Sequence, residues 1–120
     1  MANVLVVDDS ATMRQMIAYT LEGAGHRTTE ARDGKAALDL IELNQYELII
    51  TDVNMPVMNG LELTRALRAR SRTKTVPILV LTTEGGPEKK SEGRAAGATG
   101  WIVKPFDPEA LLNVLPRVLG

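Results

Sequence analysis

The chain has 120 residues, 44% of them hydrophobic and 24% charged, with a formal net charge of −1, which suffices for one real core and leaves no room for a second. It contains no cysteine, so disulfides, thiol catalysis and thiolate metal sites are excluded, and its near-neutral charge gives no general affinity for nucleic acid. The N-terminus, Met1-Ala2-Asn3-Val4, has no basic stretch before its apolar run, and no apolar run approaches the roughly 20 residues that cross a bilayer; the expectation is a cytoplasmic protein with no membrane partner.

Val4-Leu5-Val6-Val7 is a continuous aliphatic run, hence a central strand, and it ends on Asp8-Asp9. Ser10 can cap the helix that follows, with Met13, Met16, Ile17 and Leu21 on its inner face and Gly23 and Gly25 at its end. His26 to Ala31 is mostly polar but rich in threonine, which predicts an edge strand, with His26 a surface residue. Asp33-Gly34 opens a second helix that turns Ala37, Leu40 and Ile41 inward.

Leu48-Ile49-Ile50-Thr51-Asp52 is too short for a helix and reads as a strand buried on both faces. It stops on a carboxylate, and Pro56 and Asn59-Gly60 mark an irregular loop beyond. Asn59 or Gly60 caps a third helix through about Arg70, with Leu63, Ala66 and Leu67 inside; the basic series Arg65, Arg68, Arg70, Arg72 and Lys74 reads as solvated charge near its C-terminus. Pro77-Ile78-Leu79-Val80-Leu81 is a further buried strand, ending on Thr82-Thr83. The helix from Pro87 to about Ala96 is weak: it carries Lys89, Lys90 and Arg94, an interior Gly93, and only alanines to bury. Gly100-Trp101-Ile102-Val103 is the last strand and ends on Lys104-Pro105. Asp107-Pro108-Glu109 starts the last helix, which buries Leu111, Val114, Leu115 and Val118, with Pro116 expected to kink or loosen its final turn.

Five strands alternating with five helices predict an α/β, doubly wound, three-layer fold: a parallel five-stranded sheet in the flavodoxin-like order 2-1-3-4-5, which places the polar second strand at an edge. In that order the winding reverses between the first and third strands, and a ligand belongs in the crevice at their carboxyl ends. Asp8, Asp9, Asp52, Thr82 and Lys104 all stand at strand ends. Three neighbouring carboxylates repel one another without a cation, and hard oxygen ligands suit Mg²⁺, to which the backbone carbonyl of Asn54 could add. A lysine, a hydroxyl and a divalent cation converging on Asp52 make a place for a phosphoryl group.

The motifs Val6-Val7-Asp8-Asp9-Ser10, Asp52 with Met55-Pro56 and Gly60, Leu81-Thr82, and Trp101-Ile102-Val103-Lys104-Pro105-Phe106 closely resemble the receiver domains of two-component response regulators, and among them stand-alone CheY-like chemotaxis regulators. The resemblance covers the whole chain. It implies a single receiver domain over residues 1–120, without an output domain, that acts as a phosphorylation switch and not as an enzyme on other substrates. In that reading Asp52 accepts a phosphoryl group from a histidine kinase, and Asp8, Asp9, Asp52 and the Asn54 carbonyl bind Mg²⁺. Lys104 pairs with phosphate, Thr82 swings toward it, and the peptide before Pro105 is cis. Output is a contact with a flagellar motor switch protein or another protein through the fourth helix, last strand and last helix; a phosphatase is a further partner, and the protein is a monomer.

The sequence departs from the chemotaxis pattern in two places. Trp101 stands where tyrosine is typical, and its bulk bears on an inward swing of the aromatic. Thr83 stands where a smaller residue is common and could crowd the phosphoryl group, while Asn54 and Glu84 match the pattern at positions that influence dephosphorylation. Gly85-Gly86 should loosen the loop before the fourth helix. Two other readings remain: a relay intermediate or phosphate sink with the same chemistry, and a flavodoxin-like cofactor module, which lacks a Gly-rich phosphate cradle here and whose flavin phosphate three acids would repel.

Overall fold

A computed structural model describes residues 1–83, 87–104 and 107–119. Strands β1 (Asn3–Val7), β2 (Arg27–Ala31), β3 (Leu48–Asp52), β4 (Ile78–Thr82) and β5 (Gly100–Val103) alternate with helices α1 (Ala11–Gly23), α2 (Gly34–Leu43), α3 (Gly60–Arg68), α4 (Pro87–Ala96) and α5 (Pro108–Leu119). The sheet is parallel in the order β2-β1-β3-β4-β5, as the apolar runs and the polar second strand predict.

Alternation along the strands divides the core in two. Val4, Val6, Leu48, Ile50, Leu79 and Leu81 face α1 and α5, where they meet Ile17, Leu21, Leu111 and Leu115. Leu5, Val7, Ile49, Ile78 and Val80 face the other way, onto Ala37 and Ile41 of α2 and Leu63 and Leu67 of α3. β3 and β4 are buried at every position, so the strand ends that carry the candidate site are held from both sides.

Local chemistry sets the helix starts. Ser10 accepts the Met13 N–H at the head of α1, Asp33 accepts the Ala36 N–H at the head of α2, and Asn59 makes a full capping box with Glu62 at the head of α3. Asp107 accepts the Glu109 N–H before α5, which runs through Pro116 to Leu119. Gly25, at φ +93°, turns the chain out of α1 toward β2.

Four expectations need correction. Met16 is 44% exposed and not core; the buried stripe of α1 is narrower, Ile17, Ala18 and Leu21, with Met13 at its margin. α3 ends at Arg68, with Ala69 as its C-cap, short of Arg70. His26 precedes β2 and is half-buried, its Nδ1 accepting the Ala2 N–H at 3.0 Å. Arg68 is not solvated: its guanidinium donates to the carbonyls of Gly97, Thr73, Lys74 and Val76 and to Thr99 Oγ1. Arg72 likewise donates to the Ile41 and Glu42 carbonyls at the end of α2.

Candidate functional site

β1 and β3 are adjacent, with Val7 paired to Thr51, so the next residues along, Asp8 and Asp52, come side by side. Both are almost completely buried, at 1% and 4% exposure, a costly place for carboxylates without cationic partners. Asp8 Oδ1 accepts the Ser10 N–H at 2.9 Å. Lys104, extending from β5 over the sheet end, places Nζ 2.9 Å from Asp52 Oδ1 and 3.7 Å from Asp8 Oδ2. Asp9 is exposed, and one carboxylate oxygen from each of Asp8, Asp9 and Asp52 lies within 4.8 Å of the others.

Asp8 Oδ2 is buried and accepts no hydrogen bond from the described residues. Burial raises the Asp8 pKa above its ordinary value; the Ser10 N–H opposes that, Asp52 adds to it, Lys104 opposes it, and Asp9 adds to it. Lys104 alone thus leaves the cluster short of positive charge. An oxygen-only donor set with a buried carboxylate oxygen that accepts no hydrogen bond fits a small hard cation.

Around this cluster the backbone is fixed at close quarters. Val53 N–H bonds the Leu81 carbonyl and Gly60 N–H bonds the Val53 carbonyl, so the loop bearing Asn54 is tied at both ends. A Cβ on Gly60 would collide with the Asp52 carbonyl oxygen, so only glycine allows α3 to begin here. Asn54 is exposed two residues beyond Asp52.

Thr82 is 2% exposed at the end of β4, and Thr83 beside it is exposed. By alternation Thr82 follows Ile78 and Val80, onto the sheet face where Trp101 packs; Trp101 pairs with Val80, and the next pair on that face, two residues along, is Thr82 with Val103. The two residues expected to move together therefore share a face. Glu84, Gly85, Gly86, Pro105 and Phe106 lie outside the described residues.

Sequence reasoning missed Arg14. Its Nη1 donates to the Asp8 carbonyl at 2.6 Å and its Nε pairs with Glu30 at 3.1 Å, bracing the Asp8 turn from α1 and β2 together. Its signal was present in the position four residues after the Ser10 cap, on the helix that rises from the site, but its partner is a backbone group that no motif shows.

A family model of the response regulator receiver domain matches residues 4–116. The chain is 46% identical over 119 residues to a chemotaxis protein CheY homolog of Campylobacter jejuni, covering 98% of this chain and 92% of that protein. The crystal structure of the chemotaxis response regulator CheY4 of Vibrio cholerae is similar with a TM-score of 0.95 and 55% identity, covering 99% of each chain. The receiver domain of a Pseudomonas aeruginosa sensor histidine kinase, with a magnesium ion coordinated in its active site cleft, matches with a TM-score of 0.91 at 30% identity, covering 99% of this chain and 98% of that one. The buried acidic pair, the lysine above it and these full-length matches agree: the chain belongs to the response regulator receiver domain family, among its CheY-like members.

Proposed function

We propose that the protein is a phosphorylation-activated switch of a two-component system: Asp52 takes a phosphoryl group from a histidine kinase, and the change alters affinity for a protein partner in chemotaxis. The observation that carries this reading is the Lys104 ammonium 2.9 Å from Asp52 Oδ1, beside a buried Asp8 oxygen that accepts no hydrogen bond among the described residues. Asp8, Asp9, Asp52 and the Asn54 carbonyl would hold Mg²⁺, which supplies charge neutralisation to the phosphoryl oxygens when bound. That the P. aeruginosa receiver holds magnesium in its cleft supports this assignment.

In the transfer, an Asp52 carboxylate oxygen forms a bond to phosphorus as the bond from phosphorus to the kinase's histidine nitrogen breaks, and that nitrogen keeps the electron pair. Lys104 then pairs with the phosphoryl group in place of the bare carboxylate, and Thr82 donates a hydrogen bond to it. The chain catalyses only its own phosphorylation and hydrolysis. A phosphoryl group adds about −1.5 to −2 charges at one point. The response emerges on the surface of α4, β5 and α5, where a flagellar motor switch protein is the leading partner. No helix of the described residues is long and apolar enough to cross a membrane.

The test is binding of a motor-switch N-terminal peptide, with Mg²⁺, before and after phosphorylation by a small acyl phosphate. Affinity is expected to rise by roughly 5- to 150-fold, the ordinary range of allosteric coupling, and the rise to vanish in Asp52→Asn. Phosphorylation of Asp52 with unchanged affinity assigns the chain to phosphate relay or to a phosphate sink. Failure of Asp52 to phosphorylate refutes the reading.

A further inference from the structure

Gly93 stands in the interior of α4, where glycine is a worse helix former than any residue but proline. α4 has little to offset that defect: within it, Gly93 and Ala96 are the buried residues. The space around Gly93 accounts for the glycine. A Cβ built there would lie 2.7 Å from Trp101 Cε3 and 3.4 Å from Cη2, with Cζ3 nearer still. The six-membered ring of the indole fills the volume a side chain would need. Trp101 packs with Ala98 against the cluster beneath α3, and its Nε1 is buried with no hydrogen-bond acceptor among the described residues. The ring is therefore seated by shape while its one polar group is left unsatisfied, an arrangement that costs free energy.

We infer that Gly93 is a positioning residue that makes the seating of Trp101 and the placement of α4 a single variable. α4 cannot close on β5 with the ring out of its seat and gain the same contact, and the ring cannot sit if residue 93 carries a side chain. The unpartnered indole N–H raises the energy of the seated state and brings it nearer to the unseated one, so a modest push from the sheet edge shifts the balance. Thr82, on the same sheet face, is the residue placed to give that push; this use of the pair as a switch rests on Asp52 being the phosphoacceptor. The space that α4 would close on is a cavity of about 170 Å³ lined by Lys90, Arg94, Ala98, Thr99, Gly100 and the ring itself.

A double-mutant cycle tests the seat without any phosphorylation. In the parent chain, Gly93→Ala is expected to lower the urea midpoint, shift the emission of Trp101 to the red and raise acrylamide quenching several-fold. In the Trp101→Ala background the same substitution is expected to raise the midpoint, because alanine is the better helix former. Equal shifts in both backgrounds, or unchanged emission, overturn the inference. Should Gly93→Ala fail to fold alone, refolding in the Trp101→Ala background supports the seat, and failure there as well overturns it. Coupling is then read with beryllofluoride and Mg²⁺ as the phosphoryl mimic. The parent's emission is expected to change and Gly93→Ala to lose that change; a full response in Gly93→Ala overturns the coupling. No response in the parent chain would instead count against the phosphoacceptor switch, with the seat itself decided by the stability cycle.

Discussion

Asp8 sits in the site at an electrostatic cost. It is buried, one of its oxygens has no hydrogen bond, and its pKa is raised chiefly by desolvation. The folded chain thus holds the Asp8 proton more tightly than the unfolded chain, whose aspartates titrate near 3.8. For this group, stability of the metal-free protein is greatest below that value and falls as pH rises through the raised folded value. Asp8→Asn should accordingly stabilise the metal-free protein at neutral pH by roughly 0.5–2 kcal/mol, the gain usual when a functional liability is removed, and, on the proposed Mg²⁺ assignment, should abolish the rise in melting temperature that Mg²⁺ gives the parent. Thermal melts with and without Mg²⁺ read both effects; a lower melting temperature in Asp8→Asn without metal would show that Lys104 already compensates the charge. Val57 is a second local cost. It has φ 71° and sits inside a three-residue turn closed by Met58 N–H on the Pro56 carbonyl at 2.7 Å, a strained geometry for any residue and worse for a β-branched one. It is 91% exposed, so packing returns nothing. Val57→Asn should stabilise by about 1 kcal/mol, read as a higher urea midpoint; a lower one would mean that the valine methyls hold the loop.

At the scale of the elements, α3, α4 and the turns near them are joined through one side chain. Arg68 Nε donates to the Gly97 carbonyl beyond α4 at 2.9 Å, and Nη1 donates to Thr73 and Val76 at 2.9 and 2.6 Å. Burial lowers the Arg68 pKa from its ordinary value, yet a guanidinium stays charged there and satisfies several carbonyls at once. Arg68→Met keeps the stem and removes the donors, and should cost about 2–3 kcal/mol, near the value of hydrogen bonds to a charged group. Arg68→Lys should recover only part of it, since a single ammonium cannot reproduce the fork. Denaturant unfolding of the two variants checks the order; equal losses would leave charge alone as the cause. Arg68 also shows where the sequence stops being readable. β1, β3 and β4 are continuous apolar runs, and the caps at Ser10, Asp33, Asn59 and Asp107 are local chemistry, so element order, the sheet and the strand-end residues Asp8, Asp52 and Lys104 could be read from neighbours along the chain. The partners of Arg68 are loop carbonyls up to 29 residues away in sequence together with the Thr99 hydroxyl, and backbone groups carry no residue signature. Gly93 was legible as a helix defect but not as a seat, because the ring that fills it comes from another element. Met16 fits the helical period and is nonetheless exposed, since α1 meets the sheet on a stripe one residue narrower than the period allows.

At the scale of the whole molecule, the two sides of the sheet divide the work. Along β1, β3 and β5, Asp8, Asp52 and Lys104 continue the alternation of Val6, Ile50 and Ile102, the strand faces that pack against α1 and α5. Thr82 and Trp101 continue that of Val80, on the opposite face toward α3 and α4. If Asp52 is the phosphoacceptor, as proposed, a signal from it to α4 crosses the sheet, and it can do so at the carboxyl edge of β4 without disturbing the buried pairs below. β1, β3 and β4 are packed on both faces by fully buried Leu, Ile and Val, and interiors at that density do not deform gradually. α4 has almost no apolar anchor and β5 is half-exposed, so free energy released at the site is absorbed where resistance is least. Beryllofluoride with Mg²⁺ should consequently change amide hydrogen exchange in α4 and β5 several-fold and leave the amides of β1, β3 and β4 at their slow rates. Exchange that rises throughout the sheet would mean that the core itself rearranges, and the division between a rigid sheet centre and a yielding α4–β5 side would not hold.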